Sequence, residues 1–328
     1  MKFKPLIIVL GEPYSVFSEI LFKSLKHNSI KKFKKKIILI GSKKLLEKQM
    51  FRFGYKFKLK EIKLNEIYKL KISSTKINII NINFKFKKIF DKISNRSTVY
   101  IRNSFQTSLK LIKKNKICGL LNGPISKKHF LNKKYLGITE YLSKKTNSKN
   151  NPVMLIYNPK ISVSPITTHL PIKYVTKNLN KKKIINNVLE INKFYLKHLK
   201  KKPKFAVLGL NPHCETISKY SEEDKIIKPA IKKIKRKKIN ISGPYSADTF
   251  FSYKNISKFD VVIGMYHDQV LTPIKTIFKF NAINITLGLP FIRVSPDHGP
   301  NNEMLGKNIS NPQSLISAIN FLKRLDVN

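Results

Sequence analysis

The sequence predicts an α/β protein built on a mostly parallel sheet. Three observations lead there. Short β-branched apolar runs recur along the chain, each ending in a polar loop. The stretches between them carry apolar residues at three- and four-residue spacing, the period of a helix rather than a strand. Proline and glycine cluster where the runs end, the place at which such sheets form their ligand crevices. Strands alternating with helices require crossover connections and hence parallel pairing. A length of 328 residues exceeds the ~100–200 typical of one domain, so one large or two ordinary α/β domains are expected. No fixed-period repeat is present.

Taken in order, the first run is LIIVLGEP (6–13). The N-terminus that contains it, MKFKPLIIVLGEP, has a charged start but too short an apolar stretch and no small-residue cleavage site, so it reads as a first strand, not a signal peptide. KKIILIGS (35–42), KICGLLNGPIS (116–126), ISVSPITTH (161–169), KFAVLGLNPH (204–213), FDVVIGMYHDQ (259–269) and AINITLGLP (282–290) repeat the pattern. Residues 55–95 are rich in Lys, Asn and Ile and reveal no placeable strand. Over 181–200, Ile184, Val188, Ile191, Tyr195 and Leu199 fall on one helical face.

Composition bounds the function. With 41% hydrophobic residues a chain this long can bury a core, which excludes collagen-like, disulfide-scaffold and disordered classes. No apolar run approaches the ~20 residues a bilayer requires. Cys118 and Cys214 form no disulfide framework, which suits a reducing cytoplasm. The formal charge of +48 invites nucleic acid. Only six of the 66 basic residues are arginine, however, and the chain has five alanines and no tryptophan. Lys, Asn, Ile and Phe have AT-rich codons, so genome composition accounts for the charge more simply. No specific nucleic-acid partner is expected. The runs KKFKKK (31–36), KKK (181–183), KKPK (201–204) and KKIKRKK (232–238) look scattered over loops and helix faces.

Three of the seven histidines share one context. His169 ends ITTH, His213 ends GLNPH and His267 ends GMYHD, each just past an expected strand. In a parallel sheet the carboxyl ends of strands face one edge, so these imidazoles can converge. Three neutral imidazoles with an open position are a common arrangement for catalytic zinc and suit other divalent ions. Each is equally readable as a loop-start residue satisfied by backbone, and both readings stay open. Asp248 and Asp268 are two of only seven aspartates, and Arg293 follows a strand in a chain that hardly uses arginine. Arg293 is either a surface salt bridge or an anion contact. Lys275 means nothing by itself among so many lysines. Neither GxGxxG after a strand nor GxxxxGK[ST] occurs, so a dinucleotide must bind without those phosphate cradles.

GEP, LNGPISK, GITE, TTHLP, GLNPH, GPYSADT, MYHDQ, NITLGLPFIR and DHG follow one another from end to end. In this set and order the chain resembles the 4-hydroxythreonine-4-phosphate dehydrogenase family of vitamin B6 synthesis. The resemblance implies two α/β/α domains with a central cleft, isocitrate/isopropylmalate dehydrogenase-like. Residues 1–122 with 287–328 would form a discontinuous first domain, and 123–286 a second carrying the histidines. It also implies that His169, His213 and His267 bind one divalent metal (zinc, magnesium or cobalt) shared between the subunits of a homodimer. Thr139, Lys275, Asn284 and Arg293 match substrate-binding positions, and Lys275 and Asp248 are candidates for proton transfer. Segment 298–312 is similar to an adenosine-binding loop, with His298, Gly306 and Asn311 as candidates for NAD or NADP. The implied reaction oxidises 4-phosphooxy-L-threonine at its β-hydroxyl and decarboxylates the product to 3-amino-2-oxopropyl phosphate.

Two departures bear on the substrate. The family pattern Gly-His-Thr-Glu is Gly137-Ile138-Thr139-Glu140 here, and Tyr14, Ser15, Phe17 and Ser18 replace small and turn-forming residues after GEP. Loss of the histidine removes a polar contact, which keeps a related substrate, threonate or erythronate phosphate, as the alternative. A basic nucleic-acid-binding protein on an inactive enzyme fold is the reading from another class.

Overall fold

The structure is a computed structural model, and it describes residues 5–31, 37–68, 76–113, 119–131, 135, 137–148, 151–215, 221–252, 256–279, 281–296 and 299–325. The chain forms two compact units, Met1–Lys149 with Leu289–Asn328, and Asn150–Gly288. Each is a mixed α/β layer structure, as the alternating runs require.

In the first unit, β1 (Leu6–Val9), β2 (Ile37–Gly41), β3 (Leu59–Glu61), β4 (Ile77–Asn81) and β5 (Gly119–Asn122) lie in the order β3-β4-β2-β1-β5. A strand from the far end of the chain, Arg293–Pro296, joins the outer side of β5. Every pairing is parallel. β3 and β4 come from the stretch that is unreadable in sequence. β3 has no fully buried residue, whereas β4 buries four of five. Buried β-branched residues on β1 and β2 (Ile7, Val9, Ile38, Ile40) meet Tyr100, Ile101 and Phe105 of the helix Thr98–Lys113.

The same core takes in Phe130, Leu131, Tyr141 and Leu142. This is why the unit extends to residue 149 instead of ending near 122. The helix Ile138–Lys145 turns Tyr141 and Leu142 into it, and Phe130 and Tyr141 pack edge to face at 5.2 Å. Residues 123–149, expected in the second domain, therefore belong to the first.

In the second unit, β6 (Val153–Tyr157), β7 (Ser162–Thr167), β8 (Phe205–Leu208), β9 (Ile241–Tyr245), β10 (Val261–Tyr266) and β11 (Ile283–Leu287) adopt the order β11-β6-β7-β10-β8-β9. The four strands from β7 to β9 are parallel. β6 is antiparallel to both its neighbours, β7 and β11. The expectation of a mostly parallel sheet thus holds strand by strand except around β6, which a short loop joins directly to β7 and so must reverse.

The helix predicted over 181–200 runs as an α-helix from Lys181 to Phe194 and ends in a wider π-turn, Tyr195–Leu199. Asn180 starts it by accepting the Lys183 amide at 2.9 Å. Its face of Ile184, Val188 and Ile191 is fully buried, worth about 1.5–3 kcal/mol per side chain. It packs beside the helix Lys228–Lys235. That pairing gathers two lysine runs that look scattered in sequence. Lys181, Lys182, Lys232, Lys233, Arg236 and Lys237 line one groove of about 870 Å³. Among the described residues, no helix is long and apolar enough to cross a membrane.

Candidate active site

The histidine-bearing loops follow from the strand order of the second unit. β10 lies between β7 and β8 and is parallel to both. Thr167 pairs with Tyr266, and the Thr167 hydroxyl donates to the Met265 carbonyl at 2.8 Å. His169 and His267 leave the sheet two and one residues beyond that pair, and their ring centroids stand 5.9 Å apart. His213 follows β8, on the other side of β10.

His169 and His213 have φ of 52° and 56°. Non-glycine residues hold this left-handed conformation only where the surroundings impose it, and such residues concentrate at functional sites. His267 is the first residue of the helix His267–Phe278. Its Nδ1 lies 2.6 Å from a carboxylate oxygen of Asp268. With Nδ1–H donating to that carboxylate, the Nε2 lone pair points elsewhere, the tautomer a metal ligand needs.

These residues fit a divalent ion in part. A nitrogen–metal bond of ~2.1 Å puts a ring centroid roughly 3 Å from the ion, so two rings sharing it stand no more than roughly 6 Å apart. The His169–His267 pair meets that limit. Among the described residues no three His, Cys, Asp or Glu side chains close into a metal-holding group within one chain. His213 therefore stands on the same sheet edge without completing the trio.

Asp248 lies in the short helix Ala247–Phe250 and is exposed. A hydrogen bond from the Ser246 hydroxyl at 2.5 Å holds its carboxyl below the usual carboxylate range, and His213 adds to the effect. A carboxylate held that acidic takes up a proton poorly near neutral pH. Lys275 is exposed on the His267–Phe278 helix. Asn284 is on β11, and its side-chain oxygen is buried without a hydrogen-bond partner among the described residues. An unmet buried acceptor costs about 1–3 kcal/mol, so this oxygen is suited to a donor brought by a ligand.

A second group lies in the first unit. Arg293 is 2% exposed, which rules out a surface salt bridge. Its Nε donates to the Asn122 side-chain oxygen at 2.9 Å, and its Nη1 donates to the Thr139 hydroxyl at 3.2 Å. The Asn122 amide donates in turn to the Gly123 carbonyl at 2.8 Å, so the orientation of the whole group is fixed. Burial pushes the guanidinium down to about 10, with Glu140 acting against the fall. It stays cationic at neutral pH, and a desolvated planar fork is suited to phosphate or carboxylate. Ile138, beside Thr139, packs against the apolar core of this unit. Asn122 was not expected from sequence, where it reads as one of many asparagines.

The altered residues after GEP are core residues here. Tyr14 is edge-on to Phe84 at 5.7 Å, and Phe17 is buried at the start of the first helix, Phe17–Lys26. In the expected nucleotide loop, Gly306 has φ of 78°, and the Asn311 side chain accepts the Gln313 amide at 2.8 Å, capping the C-terminal helix Gln313–Leu325. Lys23 secures the same loop by donating to the carbonyls of Asn308 and Ser310, both at 2.9 Å. His298 and Cys118 lie outside the described residues.

Over residues 33–322 the chain matches the family described as pyridoxal phosphate biosynthetic protein PdxA. It is 40% identical to the 4-hydroxythreonine-4-phosphate dehydrogenase of Sulfurihydrogenibium sp. strain YO3AOP1, with 98% of each chain covered. A relative from Oceanobacillus iheyensis, provisionally named a D-threonate 4-phosphate dehydrogenase, is 30% identical with 97% of each chain covered. The crystal structure of a 4-hydroxythreonine-4-phosphate dehydrogenase from Burkholderia phymatum is similar at a TM-score of 0.80 and 26% identity, covering 100% of this chain and 99% of that one. Family, relatives and fold agree over nearly the full length, and the chain belongs to the PdxA family of pyridoxal phosphate biosynthetic proteins.

Proposed function

We propose that this protein is a dehydrogenase that oxidises the β-hydroxyl of 4-phosphooxy-L-threonine with NAD or NADP in vitamin B6 synthesis. The keto acid formed loses CO₂ to give 3-amino-2-oxopropyl phosphate. The observation that carries the reading is the order β7-β10-β8, three neighbouring parallel strands that each release a histidine at one sheet edge. When bound, a divalent ion would supply positive charge beside the hydroxyl oxygen on the carbon being oxidised, and a nicotinamide ring would accept the hydride from that carbon.

The protein's own residues do the rest. His169, His213 and His267 would hold the ion, whether zinc, magnesium or cobalt, with Asp268 fixing the tautomer of His267. Because one chain does not close the trio, we take the working form as a homodimer with the site shared between subunits. Arg293, held by Asn122 and Thr139, grips an anionic group of the substrate. The unmet oxygen of Asn284 accepts a hydrogen bond from a substrate donor such as the amine. Lys275 is the candidate for moving the proton, and Asp248 acts as a fixed negative charge rather than as a strong base. Gly306 and Asn311, with His298, are assigned to the dinucleotide. The isopropylmalate-dehydrogenase-like arrangement and a cytoplasmic location belong to the same reading.

The test is NADH or NADPH absorbance on mixing purified protein with each dinucleotide, a divalent ion and 4-phosphooxy-L-threonine. No absorbance change with any metal would overturn the assignment. The Oceanobacillus relative and the alkyl side chain of Ile138 favour a second substrate, D-threonate 4-phosphate, and the same assay with that acid decides between them.

A further inference from the structure

We propose that Glu223 and Gln269 are positioning residues that clamp the loop carrying His213 against the turn carrying His267. The proposal rests on the reading of those histidines as metal ligands.

The loop between β8 and His213 has its backbone polar groups engaged one after another. The Gly209 amide donates to the Tyr245 carbonyl at 2.9 Å. The Gly209 carbonyl accepts from the Gln269 side-chain amide at 2.7 Å. The Leu210 and Asn211 amides both donate to Glu223 Oε1, at 2.7 and 2.9 Å. The Asn211 side chain donates to Glu223 Oε2 at 2.8 Å and to Glu222 at 2.9 Å. Glu223 is fully buried. Burial raises its carboxyl, but the hydrogen bonds from Asn211 and Leu210 outweigh that and leave it below the usual range. A buried carboxylate is unfavourable unless its lone pairs are filled, and here both oxygens are filled by one short loop. That loop ends in Pro212 and the left-handed His213.

Gln269 forms the other half of the clamp. It is the third residue of the helix that His267 begins, and its Oε1 accepts the Met265 amide at 2.7 Å. The same side chain therefore holds the end of β10 with its oxygen and the end of β8 with its nitrogen. It ties together the two strand ends from which His213 and His267 depart. Neither residue reaches the imidazoles. Each acts by fixing the backbone from which they project, as partners beyond the direct ligands do at metal sites.

The test uses the full-length protein and measures Zn²⁺ affinity by competition with a chelating dye, together with thermal stability and amide hydrogen exchange without metal. Glu223→Ala is expected to weaken Zn²⁺ binding by ~10–100-fold and to speed exchange at Leu210 and Asn211. Glu223→Gln, which keeps an oxygen for both amides, recovers most of the affinity. Gln269→Glu keeps the Met265 contact but sets an acceptor against the Gly209 carbonyl, and is expected to weaken Zn²⁺ binding similarly. If Glu223→Ala fails to fold, Gln269→Glu decides. Folded Glu223→Ala and Gln269→Glu proteins with wild-type Zn²⁺ affinity would overturn the clamp alone. A wild-type protein that binds no Zn²⁺, indistinguishable from His213→Ala, would overturn the metal reading and the clamp with it.

Discussion

Glu12, in the GEP turn after β1, is 2% exposed. Its Oε2 accepts from the Ser97 hydroxyl at 3.0 Å, while Oε1 is buried without a partner among the described residues. Desolvation raises its pKa from 4.5 to about 7, the Ser97 bond only partly opposing the rise. The folded state thus holds this proton more tightly than the unfolded chain does. The stability is present in full below the ordinary value of 4.5 and is lost as pH climbs to about 7, beyond which the loss is complete. A shift of that size, at about 1.4 kcal/mol per pK unit, amounts to about 3 kcal/mol. Glu12→Gln keeps an oxygen for Ser97 and has no proton to lose. Wild type and variant should therefore have similar stability near pH 4.5 and diverge by about 3 kcal/mol at pH 8, the variant being the more stable. For a unit of this size that is several degrees in Tm, at roughly 2–4 °C per kcal/mol. Calorimetry of both proteins between pH 4.5 and 8.5 reads the difference directly. Parallel curves, or a variant less stable at pH 8, would refute the claim that burial governs this carboxyl.

Gly11 has φ of 73°, and a Cβ there would come 2.4 Å from the Pro124 carbonyl oxygen. Gly11→Ala should cost more than about 2 kcal/mol in urea unfolding. Arg293→Met removes a buried cation and leaves the Asn122 oxygen unmet, so KM for a phosphorylated substrate should rise ~100-fold, about 3 kcal/mol. Thr139→Val removes only the 3.2 Å contact and should raise KM by ~5-fold. Ile138→His should lower KM for 4-phosphooxy-L-threonine by ~5-fold or more if that position meets the substrate, and an unchanged KM would show that it does not. The lysine groove between the helices Lys181–Phe194 and Lys228–Lys235 should hold the protein on immobilised heparin at low salt and release it by ~0.2 M; retention beyond that would favour a specific nucleic-acid role.

Seven strands are legible where apolar β-branched residues run together, because burial on both faces leaves a nearly continuous apolar signal. β1, β2, β5, β7, β8, β10 and β11 all carry it; β4 (INIIN) and β6 (VMLIY) carry a similar signal and were missed. β3 was not legible, because its three residues are all at least partly exposed and include Lys60 and Glu61. The left-handed turns at His169 and His213 could not be foreseen either, because no glycine marks them. Of the positioning residues, Glu223 could have been flagged by the scarcity of acids in this chain, with 18 against 66 basic residues. Nothing local distinguishes Asn122.

Family membership and the three strand-end histidines are written in short linear motifs, since those motifs bind or turn locally and survive any shift in composition. The tertiary structure decided that β10 lies between β7 and β8, that Arg293 is buried against residues 171 and 154 positions away, and that residues 123–149 pack with the first unit. Those outcomes depend on strand order and burial. Both arise from competition among distant apolar surfaces for one core, which no local pattern records.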